Sequence, residues 1–195
     1  MWNEKQIEEY LKNNLKESRY KHSLSVRDTA VELAKKYGED EFKARLAGLT
    51  HDCAKNMNHK EIIAIIEKNG YNIDMVSRNN PELLHGLAGS IIAKNVMGIE
   101  DEDILNSIAY HTTGRKEMSL LEKIIYIADY VEPLRNFPGV DKLRETVYRD
   151  LDEGILLSFN NTITYVISLG QLLHRDTIDA RNYIIIEKCR WMYGK

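Results

Sequence analysis

The side chains in this chain that could do chemistry are its histidines and a few aspartates, and their spacing indicates which of them face a helical core. His22, for example, is followed at helical spacing by Val26, Ala30 and Leu33, which predicts that its imidazole points inward. Four polar groups continue apolar stripes of this kind: His22, His51, His111 and Asp129. An inward imidazole or carboxylate needs a partner, because burying it unpaired is costly.

Each of these groups taken alone is most often a core residue hydrogen-bonded to a neighbour. Several of them on different helices favour another interpretation, since helical bundles build metal sites from side chains that converge from facing helices. A mixture of imidazoles and carboxylates favours Fe, Mn, Zn or Co over Ca or Mg. The residues therefore predict a site for a divalent transition metal.

The elements that must position these side chains are predicted to be helices throughout. Apolar residues recur at helical period almost everywhere, and no segment alternates convincingly at period two. The predicted helices are a first one with an Asn3 and Gln6 capping box, then about 18–37 ended by Gly38, about 40–54, 58–70, 80–98 started by Asn80-Pro81, 101–110, 119–133 with a Ser119 and Glu122 capping box, 141–173 and 177–192. The predicted fold is all-α, a helical bundle in a single domain.

Composition excludes several classes of protein. The chain has 195 residues and a formal net charge of −3, so it lacks the basic surplus of a nucleic-acid-binding protein. Its two cysteines cannot build a disulfide framework and suit a reducing compartment. The N-terminus has charges where a signal peptide needs an apolar stretch, and the apolar runs are too short to span a bilayer. We expect a cytoplasmic protein with neither a nucleic-acid nor a membrane partner.

A particular order of ligand types runs along the chain. His22 lies in RYKHSLSV, the doublet His51-Asp52 lies in LAGLTHDCAKN, and Asp129 lies in IIYIADYVEP. This order on predicted helices resembles the HD-domain phosphohydrolases, a superfamily of all-helical bundles. The resemblance implies a metal-dependent hydrolase of phosphate compounds.

Further motifs narrow the resemblance. His85 in PELLHGLAGS and His111 in IAYHTTGR stand between the doublet and the last aspartate, and ADYVEPLR and LLHRDTIDARN follow. The combination resembles the YqeK family, bacterial HD proteins that split diadenosine tetraphosphate symmetrically into two ADP. It spans nearly the whole chain, from about residue 19 to residue 182.

The YqeK resemblance implies a set of roles. It implies an iron centre, dinuclear and open to Mn or Co as substitutes, held by His22, His51, Asp52 and Asp129. It implies that His85 and His111 contact the substrate phosphates or a second metal, and that the nucleotide site also includes His22, Asp129, Arg135, Leu172, Leu173, His174, Arg175, Asp176 and Thr177. The single domain would cover 1–195, with a metal-binding core at about 18–133 and helices at about 141–192 completing the nucleotide site. The ligand would be a dinucleoside polyphosphate or ADP, and the family favours a homodimer.

Two residues are predicted to be catalytic. Asp52 can bridge two metals through its two oxygens, and a metal-activated hydroxide would attack phosphorus. Lys55 follows the doublet by one helical turn and can stabilise charge on the transferred phosphate, although a solvated lysine at a helix end is an equal alternative. Arg115 is a weaker candidate than Arg135 for binding phosphate.

Other functions stay open. A single-metal HD nucleotidase acting on mononucleotides would use fewer histidines. A cyclic-dinucleotide phosphodiesterase of the HD-GYP group is disfavoured, because Gly-Tyr-Pro is absent and Thr-Thr-Gly-Arg follows His111. An alarmone hydrolase would carry acidic residues just after the doublet, where this chain has Cys53. A non-catalytic nucleotide-binding module would bind ADP without turnover.

Overall fold

Residues 1–193 are described by a computed structural model, and the regular structure in that range is entirely helical. The helices are α1 Glu4–Asn14, α2 Glu17–Tyr37, α3 Glu41–Thr50, α4 His59–Lys68, α5 Met75–Asn79, a 3-10 helix Pro81–Leu84, α6 His85–Asn95, α7 Glu102–Tyr110, α8 Leu120–Val131, α9 Val140–Arg149, α10 Leu151–Ser168 and α11 Arg175–Tyr193. The prediction of an all-α bundle is confirmed. None of these helices is long and apolar enough to cross a membrane.

The helix ends follow the capping chemistry of the sequence in several places. Asn3 with Gln6, and Ser119 with Glu122, form reciprocal capping boxes at the starts of α1 and α8. Gly38 ends α2 with φ +81°, a left-handed conformation that glycine adopts without strain. These local signals were predicted correctly because they depend on residues only three positions apart.

Two predicted helix boundaries were wrong around prolines and aspartates. Asn80 makes no side-chain cap, and Pro81–Leu84 forms a 3-10 helix, so α6 begins only at His85. The predicted helix over 141–173 is two helices, because Asp150 has an extended backbone and its side chain accepts a hydrogen bond from the backbone N–H of Glu153. A short helix, α5, precedes the 3-10 helix and was not predicted.

The helix that carries the doublet is shorter than the predicted range of about 40–54. It ends at Thr50, and the chain continues in tight turns in which the backbone N–H of Cys53 donates to Thr50 O and that of Lys55 donates to Asp52 O. His51 and Asp52 therefore lie at the C-terminal end of α3.

The core lies between α2, α3, α7 and α8, with α6 against α7 and α10 against α8 and α9. Its largest fully buried side chains include Leu33, Leu49, Ile108, Ile124, Tyr126 and Phe159. Burying one aliphatic or aromatic side chain of this size contributes about 1.5–3 kcal/mol to stability. This apolar packing fixes the helices whose ends carry the histidines.

Two glycines allow helices to approach closely beside those histidines. A Cβ on Gly48 of α3 would lie 2.9 Å from Arg27 Cα, so the backbones of α2 and α3 approach each other closely there. A Cβ on Gly86 of α6 would lie 2.7 Å from Ala109 O, at the end of α7. Larger residues would push apart the helix pairs on which the histidines stand.

Candidate metal centre

Six side chains predicted from the sequence converge on one buried cluster. They come from α2 (His22), the end of α3 (His51 and Asp52), the start of α6 (His85), the end of α7 (His111) and α8 (Asp129). The four imidazoles and Asp52 are buried. The cluster lies where five helices meet, as expected for a bundle that builds a site from facing helices.

Asp52 is at the centre of this cluster, and its two oxygens face different imidazoles. Oδ2 lies 3.5 Å from His51 Nε2 and 3.7 Å from His22 Nε2. Oδ1 lies 3.0 Å from His85 Nε2 and 3.6 Å from His111 Nε2. Each oxygen of one carboxylate thus serves a separate pair of imidazoles. Asp129 belongs to the first pair, since its Oδ1 lies 2.9 Å from His22 Nε2 and 3.9 Å from His51 Nε2.

Three of the histidines are held by backbone carbonyls that only accept hydrogen bonds. The Nδ1–H groups of His51, His111 and His85 donate to Gly48 O at 2.7 Å, Ile108 O at 2.7 Å and Glu82 O at 2.5 Å. This network assigns the proton to Nδ1, so each Nε2 presents a lone pair to the cluster. His85 Nε2 and His111 Nε2 lie only 3.0 Å apart, too close for a metal ion on the line between them, so two facing lone pairs there favour a cation bound to one side of the pair.

The fourth histidine is held by a carboxylate. His22 Nδ1 lies 3.0 Å from Glu132 Oε1, and Glu132 is 1% exposed. The second oxygen of Glu132 accepts the backbone N–H of Leu134 at 2.6 Å. Sequence reasoning missed Glu132, because it lies 110 residues from His22 in the chain. A carboxylate on the outer nitrogen of a ligand histidine is a common feature of metal sites.

The residues of this cluster fit a divalent metal. Two groups have ligand atoms within 4.8 Å of one another, one formed by His22, His51 and Asp129 and the other by His51, Asp52 and His111. His22 Nε2 and His51 Nε2 are buried without a hydrogen-bond partner among the described residues. His22 Nε2 approaches Asp129 Oδ1, but its ring is not aligned for a hydrogen bond along that contact. A buried acceptor without a donor is costly, and a metal ion would satisfy both nitrogens.

Electrostatics keep the two aspartates anionic. Burial alone would raise the pKa of the Asp52 carboxyl, but its electrostatic interaction with His51 and its contacts with the neighbouring imidazoles hold that pKa well below its ordinary value. Burial likewise opposes ionisation of Asp129, yet contact with His22 and the charge of Arg135 lower its pKa. The cluster therefore offers negative charge to a cation at neutral pH.

Two arginines border the cluster, and each contacts one of its carboxylates. Arg19 Nη1 donates to Asp52 Oδ2 at 2.8 Å. Arg135 donates through Nη2 to Asp129 Oδ1 and through Nε to the Asp129 backbone oxygen, the latter at 2.6 Å. Arg135 was predicted and Arg19 was not. The signal for Arg19 was available, because it precedes His22 by three residues and so shares its helical face.

Lys55 lies at the edge of the same cluster. Its Nζ is 3.4 Å from His85 Nδ1 and 3.4 Å from Glu82 Oε2. Arg115, the weaker phosphate-binding candidate, instead pairs at 2.8 Å with the buried Glu122 at the start of α8. His59 is exposed, lies outside the cluster and contacts Glu82.

Two cavities open beside the cluster. The smaller, of about 150 Å³, is lined by cluster residues together with Lys55, Thr112 and Tyr130. The larger, of about 350 Å³, lies against Ser18, Lys21, His22, Glu132 and Leu134. Arg19 and Arg135 line both.

The predicted nucleotide-binding segment Leu172–Thr177 does not line either cavity. His174 Nε2 lies 3.2 Å from Asp74 Oδ2, just before α5, and Arg175 pairs with Asp179 within α11. The nucleotide contacts of this segment stay a prediction.

Comparisons with known proteins agree with this geometry. Residues 19–134 match the HD domain family. The chain is 43% identical to the symmetrical bis(5'-nucleosyl)-tetraphosphatase of Halalkalibacterium halodurans, over 91% of this chain and 95% of the relative. It is 40% identical to the protein of the same name in Bacillus subtilis, over 90% of this chain and 94% of the relative.

A crystal structure of a predicted HD superfamily hydrolase involved in NAD metabolism from Clostridium acetobutylicum superposes with a TM-score of 0.94 at 58% identity. The match covers 96% of this chain and 99% of that one. The chain belongs to the HD-domain family. Within it, the relatives place the chain in the YqeK family, which confirms the resemblance seen in the sequence.

Proposed function

We propose that the chain is a metal-dependent hydrolase that cleaves diadenosine tetraphosphate symmetrically into two ADP. The observation that carries the proposal is the Asp52 carboxylate, whose two oxygens each face a separate pair of imidazoles. The curated relatives that align along nearly their whole length and carry the name of this activity support it.

We propose His22, His51, Asp52 and Asp129 as the main metal ligands, with His85 and His111 on a second metal or on the substrate phosphates. Iron is the proposed metal, and manganese or cobalt would suit the same imidazole and carboxylate donors. A pair of divalent ions bound there supplies Lewis acidity and a hydroxide nucleophile at neutral pH.

The protein's own groups have distinct tasks in this proposal. Asp52 contacts both pairs of imidazoles and so fixes their positions relative to each other. Arg19 and Arg135 orient the phosphates, because each guanidinium carries five N–H donors and only some of them contact Asp52 or Asp129. Lys55 stabilises negative charge on the departing phosphate from its position beside His85.

The reaction adds one water across the central phosphoanhydride. A hydroxide oxygen bonds to one of the two inner phosphorus atoms, and the bond from that phosphorus to the central bridging oxygen breaks. The bridging oxygen leaves with the other half, so both products are ADP. The cations around the cavity neutralise the charge that grows on this oxygen.

The alternatives from the sequence are less well supported. A single-metal nucleotidase would leave His85 and His111 without a role, although their Nε2 atoms lie at Asp52 Oδ1. A non-catalytic binding module that holds no metal would not explain two buried imidazole nitrogens that lack hydrogen-bond partners within residues 1–193.

The test is an assay of the purified chain with diadenosine tetraphosphate and added ferrous iron, manganese or cobalt. Products resolved by ion-exchange chromatography should be ADP alone. AMP with ATP would keep the metal site and contradict symmetrical cleavage. Tight ADP binding without turnover under any of the metals would favour the binding module.

A homodimer is the proposed assembly. The end of α10, the following loop and the start of α11 expose large apolar side chains on one part of the chain: Tyr165, Ile167, Leu169, Leu172 and Ile178. An apolar surface of this kind favours contact with another protein surface. Sedimentation should give twice the chain mass, and Ile167→Lys should lower it to a single chain mass if this surface is the interface.

A further inference from the structure

We propose that the larger cavity beside the metal cluster binds the second nucleoside diphosphate half of the substrate, with its base against Leu134. The inference rests on the proposed function and extends it from the reacting phosphates to the whole substrate. It concerns the cavity bounded by Ser18, Lys21, Glu132 and Leu134 and by the two shared arginines.

The two cavities differ in volume. The cavity at the cluster has a volume of about 150 Å³, whereas sites for drug-sized or nucleotide ligands commonly have about 300–1,000 Å³. It can therefore hold reacting phosphates but not a nucleoside. A substrate with two nucleosides must extend out of it in two directions. The neighbouring cavity, at about 350 Å³, is large enough for one of them.

The two cavities share two of their lining residues. Arg19 and Arg135 line both cavities, and each is anchored to a cluster carboxylate. A polyphosphate chain that passes between them would leave the reacting phosphorus at the cluster and carry the next phosphates into the larger cavity. Planar guanidinium groups suit this role, because they contact phosphate oxygens in pairs.

The charged side chains around the larger cavity are mostly positive. The larger cavity has Arg19, Lys21 and Arg135 along its walls, which favours an anionic ligand. Glu132 is the acidic group there, and its carboxylate already contacts His22 and accepts the backbone N–H of Leu134. It is also 1% exposed, so a ligand in the cavity makes little direct contact with its carboxylate. Two phosphates of a nucleoside diphosphate fit this balance.

The larger cavity also has an apolar surface on which a base could pack. Leu134 is 61% exposed in the loop after α8, although it adjoins a site made otherwise of polar groups. The loop is held in place, since Arg144 donates to Glu132 O at 2.9 Å and to Arg135 O at 2.8 Å. A fixed, exposed leucine beside three cations offers a packing surface for a planar base without an ordering cost.

The experiment measures binding to the metal-loaded chain by calorimetry with two ligands. One is an uncleavable diadenosine tetraphosphate analogue with a methylene group in place of the central bridging oxygen, and the other is ADP. The wild-type chain should bind the analogue more tightly than ADP, because only the analogue reaches both subsites. The double variant Lys21→Gln with Leu134→Ser should weaken the analogue about tenfold and change ADP binding by less than about twofold.

Matched controls are Lys94→Gln and Val96→Ser, an exposed lysine that pairs with Glu102 and an exposed apolar residue after α6. Both should leave both affinities unchanged. Unchanged binding of the analogue by the double variant would overturn the second subsite, and so would equal weakening of ADP, which would make the cavity the first nucleotide site.

The outcome separates this inference from the proposed function. Normal wild-type conversion of diadenosine tetraphosphate to ADP, with an analogue no tighter than ADP, would remove the subsite alone. A wild-type chain that neither binds the analogue nor turns over the substrate would remove both.

Discussion

The metal cluster and the C-terminal segment from the end of α10 to the start of α11 differ in how completely their side chains are partnered. In the cluster, each imidazole has its outer nitrogen held and its inner nitrogen aimed at a carboxylate. In the C-terminal segment, apolar side chains such as Ile167 and Leu169 are exposed, and His174 makes its contact with the half-exposed Asp74.

The difference indicates that contacts within the fold hold the side chains of the cluster but leave the apolar side chains of the C-terminal segment exposed. The cluster is preorganised by the fold, because its ligands stand on helices that the core fixes. The C-terminal segment exposes large apolar side chains, and the proposed nucleotide or the proposed second chain would cover them. Substitutions in the cluster should therefore change chemistry sharply, and substitutions in the C-terminal segment should change stability or assembly modestly.

The largest expected effect is at Asp52. Asp52→Ala removes the carboxylate shared by both pairs of imidazoles, so kcat should fall by at least about 10³-fold while the helical circular dichroism persists. Steady-state kinetics and bound metal content measure the effect. Asp28→Asn, an exposed carboxylate on α2 that pairs with Arg27, is the matched control and should retain full activity. Comparable turnover in Asp52→Ala would show that the metal site lies elsewhere.

Glu132 tests whether preorganisation itself matters. Glu132→Gln keeps the shape but removes the charge that orients His22, so metal affinity should fall about 10–100-fold. Competition with a metal chelator measures the affinity directly, without reference to turnover. Glu145→Gln, on the neighbouring α9, serves as a control outside the cluster. An unchanged affinity would mean that His22 keeps its orientation through packing alone.

A smaller effect is expected at Arg135. Arg135→Ala would remove the proposed phosphate contact and leave the proposed metal ligands in place, so KM should rise about tenfold with bound metal unchanged. The split between KM and metal content is the measurement. Arg175→Ala, in the C-terminal segment, should change KM less if that segment completes the site only weakly. An unchanged KM in Arg135→Ala would remove this residue from the substrate site.

Periodicity predicted four members of the cluster, and the family resemblance added Asp52 and His85. His22 and His111 lie on apolar stripes, and helical spacing alone turns such groups inward. Arg19 could have been found by the same rule. The same spacing puts Glu132 three residues after Asp129, but its contact with His22 joins parts of the chain 110 residues apart and depends on how α8 packs against α2.

The sequence predicted which face of a helix is buried better than it predicted where the helix begins and ends. The sequence around Asn80-Pro81 favoured a helix start, but Asn80 has φ −135° and ψ 76°, which directs its side chain away from the cap. The doublet was placed inside a helix that ends at Thr50. In both places the backbone follows tertiary packing around the cluster, since His85 and His51 must reach Asp52, and local propensity carries no information about that demand.

The smallest expected effect is at Asp74, which links the C-terminal segment to the rest of the fold. Burial opposes its ionisation, but hydrogen bonds at the start of α5 and the contact with His174 lower its pKa to about 2. A carboxyl whose folded pKa lies below its ordinary value stabilises the fold at higher pH and loses that contribution as pH falls toward the folded pKa.

Wild-type stability should therefore decrease between about pH 4 and pH 2 more steeply than that of Asp74→Asn, which keeps a helix cap without the titrating charge. Because Asp74 is half-exposed and solvent screens the pair, the difference at neutral pH should stay below about 1 kcal/mol. Urea unfolding at several pH values measures it, with Asp141→Asn as an exposed control. Parallel curves would show that the contact between His174 and Asp74 does not hold the C-terminal segment.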